Sequence, residues 1–321
     1  MDEVEFGTPA TDRSPPSLRV VVVVGAAILV VVAIVAVSGY LVFGRTSATH
    51  AASTPAPAPS RPAPPRQVAL PFQLVDADGL EADGAGNVCA SDAASNQVLE
   101  LKAGSDNPIA LPFTGLKAPG GLAADGGNAL YVVDQDNRRV LKLPAGSSTQ
   151  IELPFTGLDE PHGIAVNSRG SVFVADFHGN RVLELPAGSN TQAELPFGGL
   201  KQPYDLAVDD ADTVYAADAG NNRVVKLAAG STTPVELPFT GLNFPNSVAV
   251  DHGNNVYVTD LNNNRVLKLM AGSNAVSRLP FENLVAPFEV AVGANGDVYV
   301  LDFHNRVLKL PAGYEPIALG G

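Results

Sequence analysis

The sequence predicts an all-β fold, a six-bladed β-propeller, for residues 67–321. The triplet Leu-Pro-Phe recurs at intervals of 41, 42, 42, 42 and 42 residues, and a period of about 40–45 residues is typical of propeller blades. The units carry four short strand signals, and none has the i, i+3, i+4 apolar stripe of an amphipathic helix. The triplets begin at Leu70, Leu111, Leu153, Leu195, Leu237 and Leu279.

The third unit shows the four strand signals in order. The first is short, apolar and flanked by turn formers, as expected of the innermost strand of a blade. The third and fourth alternate between apolar and polar residues, which is typical of strands with one buried face. The four segments are GIAVN (163–167), VFVAD (172–176), RVLELPAG (181–188) and QAELPF (192–197).

Seven segments qualify as outer strands, one more than six blades need. Residues 67–72 precede the first inner strand, and residues 315–319 follow the last third strand. An open ring would leave exposed strand edges, so one of these two segments must complete the sixth blade. The sequence leaves open which one does.

A long apolar run precedes the propeller. Residues 20–43 contain no charged side chain over 24 positions, and as a helix they would reach about 36 Å, enough to cross a bilayer core. The run is too long for the apolar region of a secretory signal peptide and is followed only by a poor cleavage site. We therefore predict a transmembrane helix at 20–43, preceded by a short cytoplasmic segment at 1–19.

A Pro/Ala-rich stalk is predicted for residues 44–66. Positions 46–66 hold six Pro and six Ala, a composition that favours extended polyproline II conformation, and would span on the order of 60 Å. The flanking basic residues hardly discriminate the direction of the span, but a stalk suits a domain held away from a membrane. We predict a single-pass plasma-membrane protein with its N-terminus cytoplasmic and its propeller extracytoplasmic.

The charge of the repeat region argues against one class of partner. Residues 67–321 hold 29 acidic and 15 basic residues, so this region repels phosphate backbones and nucleic acid is not an expected partner. The single cysteine, Cys89, has no partner for an internal disulfide. Because it lies in an apolar strand where other copies carry Tyr, Phe or Val, we expect a small buried hydrophobic residue.

The most repeated polar pattern is an Asp that ends the second strand, followed after a short loop by an Arg that opens the third. A ring of acids for a metal is one interpretation. A scaffold role, in which each Asp and Arg tie a hairpin through charge-assisted hydrogen bonds, is favoured because nearly every blade has the pair. The pairs are Asp134 and Arg139, Asp176 and Arg181, Asp218 and Arg223, Asp260 and Arg265, and Asp302 and Arg306.

These residues carry a resemblance. The pattern G-[IV]-A-V-[DN], then [VF]-[YF]-V-x-D, then N-R-V-[LV]-K-L, resembles the NHL repeat. With its LPF-T-G-L and AGS-[NST]-T pieces, the unit most closely resembles the extracellular sensor domains of mycobacterial receptor serine/threonine kinases of the protein kinase D type. The resemblance covers residues 67–321, and the predicted anchor and stalk match it. It implies a six-bladed sensor presented outside the plasma membrane.

The sequence departs from that family at its N-terminal side. The family places a kinase domain before the membrane span, where this chain has about 19 residues, without a Gly-rich loop or an H-R-D catalytic loop. We therefore expect no enzymatic activity, no catalytic residues and no cofactor. The expected partners are an unknown extracellular or cell-wall ligand, the membrane through residues 20–43, and a separate kinase chain as a further candidate.

A ligand site is expected where the copies differ, because the scaffold makes equal demands on all six. The residues that open the inner strands differ most, and the loops between second and third strands emerge on the same face with aromatic and His residues. We predict a ligand-binding mouth of the central channel; the alternative is that exposed loops vary freely. The candidates are His162, Tyr204, Asp205, Asn246, Phe288, Glu289, Phe177, His178, Phe303 and His304.

The alternative function is a metal-dependent propeller enzyme. Six-bladed lactonases hold calcium at such a mouth, and Asp205, Asn246 and Glu289 are residue types that suit a hard cation. Lyases of the NHL type hold zinc through several His residues, and here only His162 opens an inner strand. We predict no metal site and retain this function as the second hypothesis.

Overall fold

The structure is a computed structural model that describes residues 66–319. Within these residues the chain forms six antiparallel sheets, as the repeat predicts. The segments predicted as cytoplasmic (1–19), transmembrane (20–43) and, except for its last residue, stalk (44–66) lie outside the described residues. No helix in the described range has the length and apolar character needed to cross a membrane.

Blades one to four are four-stranded meanders whose first strand is innermost. Blade one is β2 (Ala77–Ala82), β3 (Val88–Asp92), β4 (Gln97–Leu101) and β5 (Ile109–Ala110), and blade two is β6 (Pro119–Ala124), β7 (Leu130–Asp134), β8 (Arg139–Leu143) and β9 (Ile151–Glu152). Blade three is β10 (Pro161–Val166), β11 (Val172–Asp176), β12 (Arg181–Leu185) and β13 (Ala193–Glu194), and blade four is β14 (Pro203–Val208), β15 (Val214–Asp218), β16 (Arg223–Leu227) and β17 (Val235–Glu236).

Blades five and six complete the ring and contain the two terminal strands. The hairpin loops of blades two, four and five each contain one 3₁₀ turn, at Gln135–Asn137, Ala219–Asn221 and Leu261–Asn263. Blade five is β18 (Pro245–Val250), β19 (Val256–Asp260), β20 (Arg265–Leu269) and β21 (Val276–Arg278), with β25 (Ile317–Ala318) added. Blade six is β22 (Glu289–Val292), β23 (Val298–Leu301) and β24 (Val307–Leu310), with β1 (Val68–Ala69) added.

The N-terminal strand closes the ring. Val68 pairs with Lys309 and Ala69 with Leu308, so β1 is the outer strand of blade six. The side chain of Gln67 also accepts a hydrogen bond from Glu282 N at 2.8 Å and donates one to Glu282 O at 3.0 Å. The other candidate, β25, instead adds a fifth strand to blade five by pairing with β21. The choice that the sequence left open is thus settled in favour of residues 67–72.

The apolar core lies between neighbouring blades. The second strands are buried at every position because each is covered by the adjacent blade on both faces, whereas the two-residue outer strands β5, β9, β13 and β17 are exposed. Six clusters of buried residues alternate with the blades. In five of these clusters, an aromatic residue of the second strand and the Phe of a Leu-Pro-Phe triplet are both buried.

The inner strands approach one another closely around the channel. A Cβ atom at Gly163 would collide with the backbone of Asp205 in the next blade, and one at Gly79 would collide with the carbonyl of Gly120. Glycine is required at these two positions because no side chain fits between the strands. The central channel is therefore narrow where the inner strands begin.

The repeated Asp and Arg residues form a scaffold, as predicted. In blade three Asp176 is fully buried and accepts hydrogen bonds from Asp159 N at 2.6 Å and from Arg181 Nε at 2.8 Å. Arg181 also donates from Nη2 to Gly157 O at 2.7 Å. The pair therefore ties the hairpin to the segment that enters the same blade, and charge-assisted bonds of this kind are among the stronger ones in proteins.

A left-handed Asn in the hairpin loop links each blade to the next. Asn222 has φ of 55°, and its Oδ1 accepts a hydrogen bond from Phe244 N of the following blade at 2.7 Å. Blade two departs from this pattern, because Arg138 occupies the position with φ of 52°. Arg138 forms instead an exposed ion pair with Asp159 at 3.3 Å, and such a pair stabilises little.

The Arg138→Asn substitution is predicted to stabilise the protein. Asn tolerates the left-handed conformation better than Arg, and its Oδ1 would accept the hydrogen bond that the other blades make. We expect a gain of about 0.5–1.5 kcal/mol, which corresponds to a rise of roughly 2–4 °C in Tm. Thermal unfolding of the full chain in detergent measures it. The matched control is Arg138→Ala, which removes the ion pair without adding an acceptor; an equal rise in that variant would contradict the explanation.

Candidate functional site

Four rings from three neighbouring blades meet at one end of the channel. The ring centroids of His162 and Tyr204 are 4.3 Å apart, and that of Phe177 lies 5.0 Å from His162 and 5.7 Å from Tyr204. The Phe244 ring lies 6.5 Å from Tyr204. All four side chains are half-buried. We call His162, Phe177, Tyr204 and Phe244 the mouth cluster.

Polar side chains extend the mouth cluster across the channel. Gln135 Nε2 of blade two donates to Asp78 Oδ2 of blade one at 2.8 Å and lies 2.9 Å from His162 Nδ1. The Tyr204 hydroxyl donates to Asp78 Oδ1 at 3.4 Å. Because blades one and four face each other across a six-bladed ring, these bonds form a roof over this end of the channel. The geometry fixes the orientation of the His162 and Tyr204 rings.

An acidic side chain joins two His residues at the edge of the cluster. Glu160 Oε2 lies 2.7 Å from His178 Nδ1, and its Oε1 lies 3.5 Å from His162 Nε2. Since Gln135 donates to Nδ1 of His162, the Nε2 atom of that ring is the one that carries hydrogen toward Glu160. The mouth thus combines aromatic faces with hydrogen-bond donors and acceptors.

A second layer lies one residue further along the inner strands. Blades one to three have glycine there, whereas blades four, five and six have Asp205, Ser247 and Glu289, all buried. Ser247 Oγ donates to Asp205 Oδ2 at 2.7 Å, and Val248 N donates to the same oxygen at 3.1 Å. Ser247 Oγ also accepts from Val290 N at 3.2 Å. The polar half of this layer is therefore held by bonds between blades.

A cavity of about 520 Å³ occupies the channel below the roof. The inner strands of all six blades line it, from Asp205 and Glu289 at one end to His252 in a loop of the opposite face. Glu81 also lines it, at a position where every other blade has Ala. The cavity lining therefore contains four carboxyl groups, Glu81, Asp205, Asp251 and Glu289, contributed by blades one, four, five and six.

Burial shifts the pKa of three of these carboxyl groups, Glu81, Asp205 and Glu289, upward. Removal from water raises the pKa of Glu81 from 4.5 to about 8, and the neighbouring Asp205 adds to the shift. Burial raises the pKa of Asp205 to about 6, against the lowering effect of the Ser247 hydrogen bond. The pKa of Glu289 lies well above its usual range because of burial and then of Asp205. The channel consequently favours protonated carboxyl groups.

Protein stability is predicted to fall as pH rises from about 4 to about 8. A carboxyl group whose pKa is raised in the folded state binds more protons there than in the unfolded chain, so its stabilising contribution is complete below the unfolded pKa and is lost as pH passes the folded pKa. Glu81→Gln removes one such group, and the fall in Tm between pH 5 and pH 8 should become smaller.

Thermal unfolding at a series of pH values checks this prediction. The matched control is Glu194→Gln, since the Glu194 side chain is 61% exposed on an outer strand. An identical pH dependence in wild type and Glu81→Gln would show that Glu81 does not titrate in this manner.

The structure brings together only part of the predicted site. His162, Tyr204 and Phe177 form the mouth cluster, and His178 adjoins it through Glu160. Phe303 and His304 contact each other edge to face in the hairpin loop of blade six, with ring centroids 6.3 Å apart. They contribute a separate exposed pair on this face.

The remaining candidates are less accessible than a mouth position implies. Asn246 is 1% exposed and donates its amide to Phe288 O at 3.2 Å. Phe288 packs against the core between blades six and one. Asp205 and Glu289 lie under the roof. Asn246, Asp205 and Glu289 are thus buried, because the inner strands converge there, whereas Phe288 is half-buried like the mouth cluster. The assignment of these four residues to a ligand site stays a prediction.

Three residues of the mouth were not among the predicted site residues. Gln135 occupies the hairpin position of Phe177 and Phe303, so the variability that singled out those two applied to it as well. Glu160 and Phe244 both precede an inner-strand proline and have φ of 58° and 56°. The signal available in the sequence was a bulky residue directly before this proline, where blades two and six have Ala118 and Ala286.

The described residues contain no group of three or more His, Cys, Asp or Glu side chains arranged to hold a metal ion. Of the residues suggested for a hard cation, Asp205 fits poorly because its Oδ2 already accepts two protein hydrogen bonds.

Comparison with known proteins agrees with this architecture. The NHL repeat family matches residues 158–185 and 242–269, which comprise much of blades three and five. The chain therefore contains NHL repeats and forms an all-β six-bladed propeller. A search of curated proteins finds no significant match to the sequence.

Solved structures of similar fold include enzymes of two kinds. A streptogramin B lyase is 14% identical with a TM-score of 0.58, covering 76% of this chain and 96% of that chain. Virginiamycin B lyase from Staphylococcus aureus is 14% identical with a TM-score of 0.55, covering 78% and 89%. A gluconolactonase from Xanthomonas campestris is 16% identical with a TM-score of 0.65, covering 77% and 89%. At these identities the likeness shows the fold alone.

Proposed function

We propose that this chain is a membrane-anchored, extracytoplasmic ligand-binding module, similar to the sensor domains of protein kinase D type receptors. It recognises a cell-wall or host component through the mouth cluster. The observation that carries this proposal is the meeting of four half-buried rings, from loops and inner-strand starts that differ among the blades, with hydrogen-bonding groups beside them. Aromatic side chains that are fixed but accessible are the typical anchors of recognition surfaces.

The rigidity of the mouth supports recognition of a specific ligand. Asp78 holds Gln135 and Tyr204 from different blades, and Gln135 contacts His162. Side chains that are already positioned lose little freedom when a ligand binds, and that lowers the cost of association. The stacked faces and the two His–Glu160 contacts suit a ligand with both apolar surface and polar groups, such as a glycan or a peptide.

The sequence supports the cellular setting of this proposal. The uncharged run at 20–43 is long enough to anchor the chain in a plasma membrane, and the Pro-rich stalk at 44–66 would hold the propeller outside. A separate kinase chain is the proposed partner, through which ligand binding would be reported.

Removal of the mouth cluster is predicted to weaken ligand binding. In the variant Phe177→Ala with Tyr204→Ala, we expect the Kd for purified actinobacterial peptidoglycan to rise about tenfold, since truncated aromatic anchors typically cost that much. Co-sedimentation of the full chain in detergent with peptidoglycan measures the change. Thermal unfolding of the same samples shows whether the variant is folded.

The matched control is His252→Ala, which truncates a ring on the opposite face, where the His252 side chain is 75% exposed. Binding by the control should equal that of the wild type. Equal binding by the double variant would exclude the mouth cluster as the site, and a wild-type chain that does not sediment would exclude peptidoglycan as the ligand.

A metal-dependent propeller enzyme is the second candidate. It is favoured by the channel cavity with carboxyl groups of Glu81, Asp205 and Glu289, and by the fold shared with a lyase and a gluconolactonase. The poor fit of Asp205 to a cation counts against it, and we derive no reaction step from these carboxyl groups.

Metal removal separates the two candidates. The ligand-binding proposal predicts that extensive dialysis of the full chain against a chelator leaves its Tm unchanged. Adding calcium or zinc afterwards should also leave the Tm unchanged. Elemental analysis should find fewer than about 0.1 metal ions per chain. A rise in Tm with calcium, together with stoichiometric metal in the purified protein, would favour the enzyme.

A further inference from the structure

A second cavity lies between blades one and two, outside the channel. Its volume is about 330 Å³, within the range of small-molecule sites. Its apolar wall includes Cys89, Leu130 and Leu143, and its charged groups are Glu81, Asp83, Glu100 and Lys102. Glu81 and Ala124 also line the channel. Neither the mouth cluster nor its roof contributes to it.

The cavity occupies the place of a ring that the other blades have. Cys89 pairs with Glu100 across two strands, and the equivalent pair in blade two is Tyr131 with Lys142. Blades four, five and six likewise have Tyr with Lys, and blade three has Phe with Glu. Blade one is thus the only described blade without an aromatic ring at this position.

The surrounding core residues do not fill the space that an aromatic ring occupies in the other blades. The cluster between blades one and two contains no buried aromatic residue, in contrast with the other five. Phe113 of the local Leu-Pro-Phe triplet is only half-buried, whereas the equivalent Phe155 is 8% exposed. The space is therefore open to solvent at the rim and apolar at the floor.

The equivalent position of blade two indicates which chemical groups fit the cavity. Lys142 Nζ lies 4.7 Å from the Tyr131 ring centroid and donates to Asp125 Oδ2 at 3.3 Å. In blade two, therefore, an aromatic ring fills the space, and an ammonium group pairs with the Asp carboxylate. In blade one the Asp is retained as Asp83, and Cys89 and Glu100 occupy the positions of the ring and of the ammonium group, while Lys102 lies elsewhere in the cavity lining.

The Asp83 carboxylate is positioned to accept a hydrogen bond from such a cation. Its Oδ2 accepts a hydrogen bond from Asn87 Nδ2 at 2.7 Å. The equivalent Asp251 Oδ2 of blade five accepts from Asn255 Nδ2 at 2.8 Å and also from the Tyr257 hydroxyl at 2.9 Å. The blade five geometry shows that an oxygen in this position takes a second donor. Glu100 supplies another carboxylate where blade two has Lys142.

We propose that the cavity between blades one and two binds a small aromatic amine. The aromatic ring lies against Cys89, Ala124 and Leu130, in the space that Tyr131 fills one blade further on. The ammonium group, on a short arm, lies between Asp83 and Glu100. Charge-assisted hydrogen bonds to these carboxylates select a cation, and the apolar floor selects the ring.

Benzylamine is the probe for this proposal. It should raise the Tm of the full chain in detergent in a concentration-dependent manner. It should also slow the modification of Cys89 by a small methanethiosulfonate reagent, a readout that belongs to one site because the chain has a single cysteine. Benzyl alcohol, which lacks the cation, and butylamine, which lacks the ring, should each have at least about tenfold weaker effects.

Substitutions at the two positions test the assignment. Glu100→Gln keeps the shape and removes the charge, and the Kd for benzylamine should rise at least about tenfold. Cys89→Tyr with Glu100→Lys restores the residues that blade two has, and should abolish the response of Tm to benzylamine. Cys89→Ala leaves the space open and should keep it.

Three results would overturn the proposal. The first is no effect of benzylamine on either Tm or Cys89 modification of the wild type. The second is an equal response in the Glu100→Gln variant, which stays informative even where the double variant fails to fold. The third is an equal effect of butylamine, which would indicate a general effect of cations on an acidic chain.

Discussion

The buried carboxylate at the end of each second strand is the interaction on which the rest of the structure depends. Asp92, Asp134, Asp176, Asp218 and Asp260 each accept a hydrogen bond from a backbone N–H of the segment that enters their own blade. In four of these five blades an Arg donates to the same carboxylate. An ion buried in this way is stable only when its partners are complete, so removing one partner is strongly destabilising. These bonds hold the entering segment and hairpin loop in a fixed relation, and those two pieces carry the mouth cluster.

Because most blades have the same residue at each scaffold position, the positions where one blade differs are informative. A position that must be Gly in three blades becomes Asp205, Ser247 or Glu289 in the others, and the channel gains hydrogen-bonded polar groups. A position that is Ala in five blades becomes Glu81. A position that is aromatic in five blades becomes Cys89, and a cavity opens beside it. Each departure changes the chemistry of one place while the strands around it keep their register.

The sequence predicted the scaffold better than the site. The spacing of Leu-Pro-Phe and the Asp–Arg pairs follow from contacts made within one repeat or between neighbours, so they appear as periodic signals. The roof does not, because Asp78 and Tyr204 are 126 residues apart and meet only when opposite blades face each other. The burial of Asn246 and Glu289 was missed for the same reason, since strand convergence is a property of the closed ring.

Closure through β1 has a consequence for how the chain reaches its native state. Among the described strands β1 is synthesised first, and it pairs with β24, whose residues Leu308 and Lys309 follow roughly 240 residues later in the chain. Contacts of such sequence separation form slowly, so blades one to five can assemble while the sixth still lacks its outer strand. Until then the growing propeller is an arc with a free edge at each end, and this interval is when it is most exposed to pairing with a neighbouring chain.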